Sequence, residues 1–199
     1  MWQSIKQKYQ EKVLPARAEL FGVQNVMAVP RLTKVVLNAR LRRGGQVTEE
    51  ILINTLERIT GQKPVVTKAK KSISNFKIRQ GMPVGVKVTL RGQRLIDFLD
   101  KFINVVLPRV RDFNGLSTKI LDGQGNATIG LVEHMVFPEV ASDDMTKTHG
   151  LEICITTTAK NNKDALTLFR ELGFPFKVNE TKEAKAPRKK SKKTRKEEK

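Results

Sequence analysis

An α+β domain is what this sequence predicts, on three observations. Short stretches with apolar residues at every second position alternate with longer stretches whose apolar residues recur three and four apart. The clearest of the first kind are residues 31–40, 84–91 and 151–158, and of the second residues 48–60, 93–107 and 162–172. In the three strands one side is apolar and the other polar or mixed, so the sheet has a core face and an open polar face. The third observation is where the pattern ends. After the F-P-F of 174–176 the chain turns basic, with no aromatic residue and Val178 as its single large aliphatic one. Residues 1–176 are therefore expected to form one domain and residues 177–199 a disordered basic extension.

Each element has its own grounds. Residues 2–21 carry Ile5, Tyr9, Val13 and Leu20 at helical spacing, with Pro15 to kink or split the helix and Gly22 to end it. In 31–40, Val35 and Leu37 share one face, and Lys34, Val36 and Asn38 the other. Asn38 is a poor strand residue: it either caps a turn or offers its amide to a ligand edge. Thr48 N-caps a helix over 48–60 that buries Leu52, Leu56 and Ile59 and stops at Gly61. Residues 64–66 read as a short strand, and 68–82 as a long exposed loop or a mobile hairpin. In 84–91, Val84, Val86, Val88 and Leu90 oppose Gly85, Lys87, Thr89 and Arg91. The helix over 93–107 buries Leu95, Phe98, Leu99, Phe102 and Val106, and Pro108 stops it. A turn at 122–126, a strand around 127–132, a short segment at 135–137 and an exposed loop over 139–149 follow. Leu151, Ile153 and Ile155 then point inward, opposite Glu152, Cys154 and Thr156. The last helix, 162–172, is capped by Asn161 or Asn162 and packs Leu166, Phe169 and Leu172.

Charge indicates the partner. The chain has 199 residues, 39% of them apolar, with 38 Lys and Arg against 20 Asp and Glu, a net +18. That charge points to RNA, DNA or an anionic membrane surface. It is concentrated in residues 58–96, which contain no acid but ten cations: Arg58, Lys63, Lys68, Lys70, Lys71, Lys77, Arg79, Lys87, Arg91 and Arg94. A solvated face normally mixes signs, whereas a surface that meets phosphate does not. Lys87 and Arg91 reach phosphates, and Thr89 can bond a 2′-hydroxyl or a base edge in the shallow groove of A-form RNA. Phe76, between Asn75 and Lys77, either stacks on a base or tucks its loop onto the domain.

Other classes find little support. Cys154 is the single cysteine, so no internal disulfide forms. No long apolar run or signal peptide is present, which leaves a soluble intracellular protein and no membrane partner. The G-x-G of 123–125 lacks a third glycine. His134, His149 and Cys154 have no metal-ligand spacing, and His134 reads as a surface or strand residue. Asp143 and Asp144 read as solvated, and no nucleophile has a base. No enzyme, metal or cofactor is expected. A general basic chaperone or DNA-compacting protein is the remaining rival, and duplex DNA binding as tight as RNA binding would favour it.

Several ordered segments carry a family resemblance. They are V-V-L-N at 35–38, I-T-G-Q-K-P-V-V-T-K-A-K-K-S-I at 59–73, F-K-I-R-Q-G-M-P-V-G at 76–85 and K-V-T-L-R-G at 87–92. I-N-V-V-L-P-R-V-R-D-F at 103–113, G-L-S at 115–117 and L-G-F-P-F at 172–176 complete them. Over residues 5–176 the chain resembles the bacterial-type family of the fifth large ribosomal subunit protein. The resemblance implies an antiparallel or mixed sheet with helices packed on one face. It implies a structural protein of the central protuberance that binds 5S rRNA and meets the 23S-type rRNA and neighbouring protuberance proteins. On this chain the rRNA-binding set is Lys34, Asn38, Arg40, Gln62, Lys63, Lys87, Thr89 and Arg91. A basic loop carrying Lys70, Lys71, Ser72, Asn75, Phe76, Lys77, Arg79 and Gln80 is implied to reach P-site tRNA. A second loop, 141–149, with Asp143, Asp144 and Lys147, is implied to bridge to a small-subunit head protein. The ribosome is expected to be cytoplasmic, with an organellar one left open. Two departures stand out: A-R-L-R-R-G-G-Q follows Asn38 where the family has a Met-Gly-Val-Gly type of turn, and the tail beyond the final Phe is extra.

Overall fold

The computed structural model describes residues 3–41, 47–140 and 147–177. Its centre is a five-stranded antiparallel sheet in the order β2-β3-β1-β5-β4. The strands are β1 (Leu32–Arg40), β2 (Val65–Lys68), β3 (Pro83–Leu90), β4 (Ala127–Leu131) and β5 (Leu151–Thr157). Period-2 alternation sends Val35, Leu37 and Ala39 of β1 to the core, with Val86, Val88 and Leu90 of β3 and Ile153 and Ile155 of β5 beside them. The principal helices cover that face, which is the predicted arrangement.

The helices explain their own bounds. Helix α1 (Ile5–Lys8) begins with a capping box, in which the Ser4 hydroxyl accepts from Gln7 N–H while the Gln7 side-chain Oε1 accepts from Ser4 N–H. It widens into a π turn (Tyr9–Val13) and gives way after Pro15 to α2 (Arg17–Phe21), so the proline splits the helix. Helix α3 (Glu49–Thr60) buries Leu52, Leu56 and Ile59 and ends at Gly61, whose φ of 64° is left-handed. Helix α4 (Gln93–Lys101) buries Leu95, Phe98 and Leu99. Helix α6 (Asn162–Leu172) closes the layer. Each fully buried Leu or Phe contributes about 1.5–3 kcal/mol.

One buried acid fixes the layer. Asp100 of α4, only 4% exposed, accepts the backbone N–H of Ile5 at 2.8 Å and so pins α1 onto α4. Desolvation raises its pKa above the usual carboxylate value, and the Ile5 hydrogen bond and the Lys8 charge oppose that rise. Nearby, Lys101 spans two elements: its Nζ lies 2.5 Å from Glu139 and donates to the Ile59 carbonyl at 2.8 Å.

Several expectations need correction. Pro108 does not stop the fourth helix. The chain passes through a π turn (Phe102–Val106), where the Leu107 N–H bonds five residues back to Phe102, into a last turn α5 (Leu107–Arg109) that contains Pro108. The wider turn relieves the clash that proline causes in a regular helix. In α6 the inward residues are Ala165, Leu168, Phe169 and Leu172, while Leu166 is only half-buried. Neither Thr48 nor Asn161 makes a side-chain cap bond. The Asn162 side-chain Oδ1 instead accepts from Gly125 N–H at 3.3 Å. The 139–149 stretch is not wholly exposed, since Val140 and His149 are buried. His134 is not a surface residue: it is 1% exposed and stacks on His149 with ring centroids 4.0 Å apart. Asp143, Asp144, Arg42, Arg43 and the tail beyond Lys177 lie outside the described residues.

Candidate nucleic-acid interface

Among the described residues the sheet's second face carries no helix layer, and strand register arranges its side chains in rows. Paired residues on adjacent antiparallel strands share a face about 5 Å apart. One row runs Val65, Lys87, Asn38, Glu152, Gly130 across all five strands. The next runs Thr89, Val36, Cys154, Thr128, and beyond it Lys34 pairs with Thr156. On the other side Thr67, Gly85 and Arg40 are neighbours. The cations therefore lie on β3 and β1, while β5 and β4 present hydroxyls, a thiol and one acid.

Asn38 is mid-strand, so turn capping is ruled out. Its amide N–H₂ donates to the Glu152 carboxylate at 3.4 Å, which leaves the amide oxygen facing solvent as an acceptor. Gln62 follows α3 and reaches across the sheet edge. Its amide donates to the Thr89 carbonyl at 3.3 Å, and its oxygen accepts from Arg94 at 3.4 Å. Asn38, Gln62, Lys87 and Thr89 thus form one polar patch. Lys63 and Arg91 are exposed beside it, Arg40 is exposed at the end of β1, and Lys34 is half-buried. Amides at fixed orientation ringed by cations suit a ligand with base edges and phosphates.

The 68–82 segment is an ordered hairpin rather than an irregular loop. It prolongs the β2–β3 pair: Ala69 N–H donates to the Met82 carbonyl at 2.8 Å and Gly81 N–H to the Ala69 carbonyl at 2.9 Å. Ile73 and Ile78 then bridge. The tip turns through a short 3₁₀ segment (Ser74–Phe76) and closes on Lys77, whose φ of 51° is left-handed. Phe76 is 64% exposed, so it does not tuck the hairpin down, and Lys70, Lys71, Asn75, Lys77 and Arg79 are exposed around it. Ser72 serves the hairpin itself by accepting from the exposed Gln80's N–H at 3.0 Å.

Of the bridge residues only Lys147 is described. It is half-buried, and its carbonyl contacts His149 Nδ1 at 3.3 Å. His149 N–H meets His134 Nδ1 at 3.3 Å, and His134 N–H donates to the His149 carbonyl at 3.1 Å. The two histidines close the segment between them. Sequence reasoning did not place Glu152, Cys154, Thr128 or Thr156 at the interface. The alternation put three of them opposite the core, but only the β1–β5 pairing sets them beside Asn38. Among the described residues no cluster of His, Cys, Asp and Glu could hold a metal, and no helix is long and apolar enough to cross a membrane.

Comparison with known proteins places the chain in a family. Residues 25–79 match the family model described as Ribosomal protein L5, and residues 83–176 match the companion model for the C-terminus of that ribosomal protein family. The chain is 48% identical over 177 residues to the large ribosomal subunit protein uL5 of Halothermothrix orenii, covering 86% of this chain and 97% of that one. It is 51% identical over 174 residues to uL5 of Natranaerobius thermophilus, with the same coverage. With uL5 of Thermosipho africanus it is 51% identical over 175 residues, covering 87% of this chain and 97% of that one. The chain therefore belongs to the ribosomal protein L5 family, as a non-enzymatic structural constituent of the large subunit of the cytoplasmic ribosome, associated with its rRNA.

Proposed function

We propose that the open sheet face binds 5S rRNA in the central protuberance, where the chain also meets 23S-type rRNA and neighbouring proteins. The observation that carries this is the patch of Asn38, Gln62, Lys87 and Thr89. Its amides are held by Glu152, Thr89 and Arg94, and cations flank it. Lys34, Arg40, Lys63 and Arg91 supply phosphate contacts, and Thr89 a hydroxyl for the minor groove. The hairpin tip makes a separate contact with P-site tRNA, for which an exposed aromatic among cations is suited. The 141–149 segment, with Asp143, Asp144 and Lys147, meets a small-subunit head protein. The domain boundary near residue 176 and the basic extension are part of the same proposal.

The test is a 5S rRNA titration against a Thr89→Ala, Arg91→Ala double variant. Affinity is expected to fall by at least roughly 30-fold, for two contacts at about 1–3 kcal/mol each, and the salt slope to flatten by about one unit for the lost phosphate contact. Unchanged affinity at physiological salt would remove the sheet-face assignment.

A further inference from the structure

A cavity of about 230 Å³ opens where β1 begins and β3 ends. Ile5, Tyr9, Leu32, Leu95, Ile96 and Leu172 form its apolar walls, and Lys6 and Arg31 complete its mouth. No acid lines it. Leu95 is buried at its floor, Tyr9, Leu32 and Ile96 are half-buried, and both cations are exposed. It also adjoins the open face: Gly92, which lines it, directly follows Arg91, and Leu32 lies two residues before Lys34.

We propose that this cavity receives a nucleobase turned out of the RNA that lies on the open face, with that nucleotide's phosphates held between Lys6 and Arg31. The proposal rests on the sheet-face reading above. Three features carry it. The walls suit a flat ring: one aromatic side chain and five branched aliphatic ones, with an opening to solvent. Single-stranded and bulged nucleotides are held in this way, by stacking on a sequence-tolerant π face with cations on the backbone. The rim charge is of one sign, which complements a phosphate on each side of the inserted base. The cavity also lies within two residues of Arg91 and Lys34, cations of the open face, which favours a nucleic acid over a peptide with a greasy anchor. Burial raises the Tyr9 phenol above its ordinary pKa, with the Arg31 charge opposing, so the ring stays uncharged at neutral pH and does not repel phosphate.

Tyr9 is the chain's single tyrosine, so the site has its own reporter. Full-length protein labelled with 3-fluorotyrosine gives one fluorine resonance, titrated in turn with 5S rRNA, with polyphosphate, and with a polyglutamate peptide bearing one leucine. The expected result is a ring-current shift with 5S rRNA and none of comparable size with polyphosphate, which occupies the cations but has no bases. Ile96→Trp fills the cavity and is expected to weaken 5S rRNA binding about 5- to 100-fold, the worth of one stacked base, without changing the salt slope. Lys6→Ala with Arg31→Ala, on exposed positions, is expected to flatten that slope by about two units. Tight 5S rRNA binding with an unmoved resonance overturns the cavity proposal and leaves the sheet face standing. No 5S rRNA binding at all removes both. An equal shift with polyphosphate, or a shift with the peptide alone, also overturns it, the second in favour of a protein partner.

Discussion

Two glycines on the open sheet face respond oppositely to the same substitution. Gly85 lies in β3, with β1 on one side and β2 on the other. A Cβ built there falls 2.7 Å from the Ala39 carbonyl oxygen and 3.4 Å from the Thr67 hydroxyl. Ala39 is fully buried in β1, and its carbonyl is backbone, so it cannot swing aside as a side-chain tip would. Overpacking of this kind costs about 1–3 kcal/mol. Against it, alanine lowers the entropy of the unfolded chain, a gain of about 0.4–1 kcal/mol. The net for Gly85→Ala is a loss of up to about 2.6 kcal/mol, or up to roughly 10 °C in melting temperature at this chain length. Gly130 is on the same face, in the edge strand β4, and nothing lies within 4 Å of its Cβ position. Only the entropy gain applies there, so Gly130→Ala is expected to raise the melting temperature by about 1–4 °C. Thermal unfolding followed by circular dichroism, on both variants and the parent in one buffer, reads the signs directly. Shifts of the same sign would show that the close approach of β1 and β3 does not decide the outcome.

Further outcomes are expected. Alanine at Lys70, Lys71, Lys77 and Arg79 together spares 5S rRNA binding and weakens P-site tRNA retention in filter binding on reconstituted ribosomes; a joint fall of both would show that hairpin and sheet do not act separately. Lys101→Met takes the partner from half-buried Glu139 and the donor from the Ile59 carbonyl, costing about 1–3 kcal/mol in urea unfolding after solvent screening, and an unshifted urea midpoint would show the pair to be worthless. Asp100 has a pKa raised above 3.8, so the folded state holds its proton more tightly than the unfolded state does. Its contribution is therefore greatest below the unfolded value and declines as pH rises through the window up to the folded value. Asp100→Asn keeps an acceptor for Ile5 and abolishes that decline, so parent and variant unfolding curves diverge with rising pH across the carboxylate range; parallel pH profiles would refute the raised pKa.

Much of the fold was legible because period 2 is a strong signal. Val35 and Leu37, Val86 and Val88, and Ile153 and Ile155 all point where alternation puts them, and Gly61 and Gly173 end their helices in left-handed geometry. Side-chain direction is a local property; strand order is not. No spacing indicates that β5 lies against β1, and only that pairing makes Glu152 a neighbour of Asn38. The hairpin was half-visible for a related reason. Its arms are held by backbone hydrogen bonds through Ala69, Ile73 and Ile78, and polar side chains do not advertise them. His134 and His149 escaped notice because their contact is not local: the rings stack and the His134 ring accepts from the His149 backbone N–H, fifteen residues apart in sequence. Pro108 misled because a π turn changes what a proline costs.

The hairpin and the open face share one continuous strand. From Gly81 the chain enters β3 and runs straight past Thr89 to Leu90, a rigid path of about 26 Å for the strand's eight residues. Hydrogen bonds tie β3 to β2 on one side and to β1 on the other. A pull on the tip along that axis loads both ladders in shear, so many bonds share the force at once and none is peeled singly. A sideways pull instead meets the short β2 alone. The tip is therefore stiff lengthwise and compliant across, like a reed clamped at its base, and it can be deflected without tearing the sheet that anchors it.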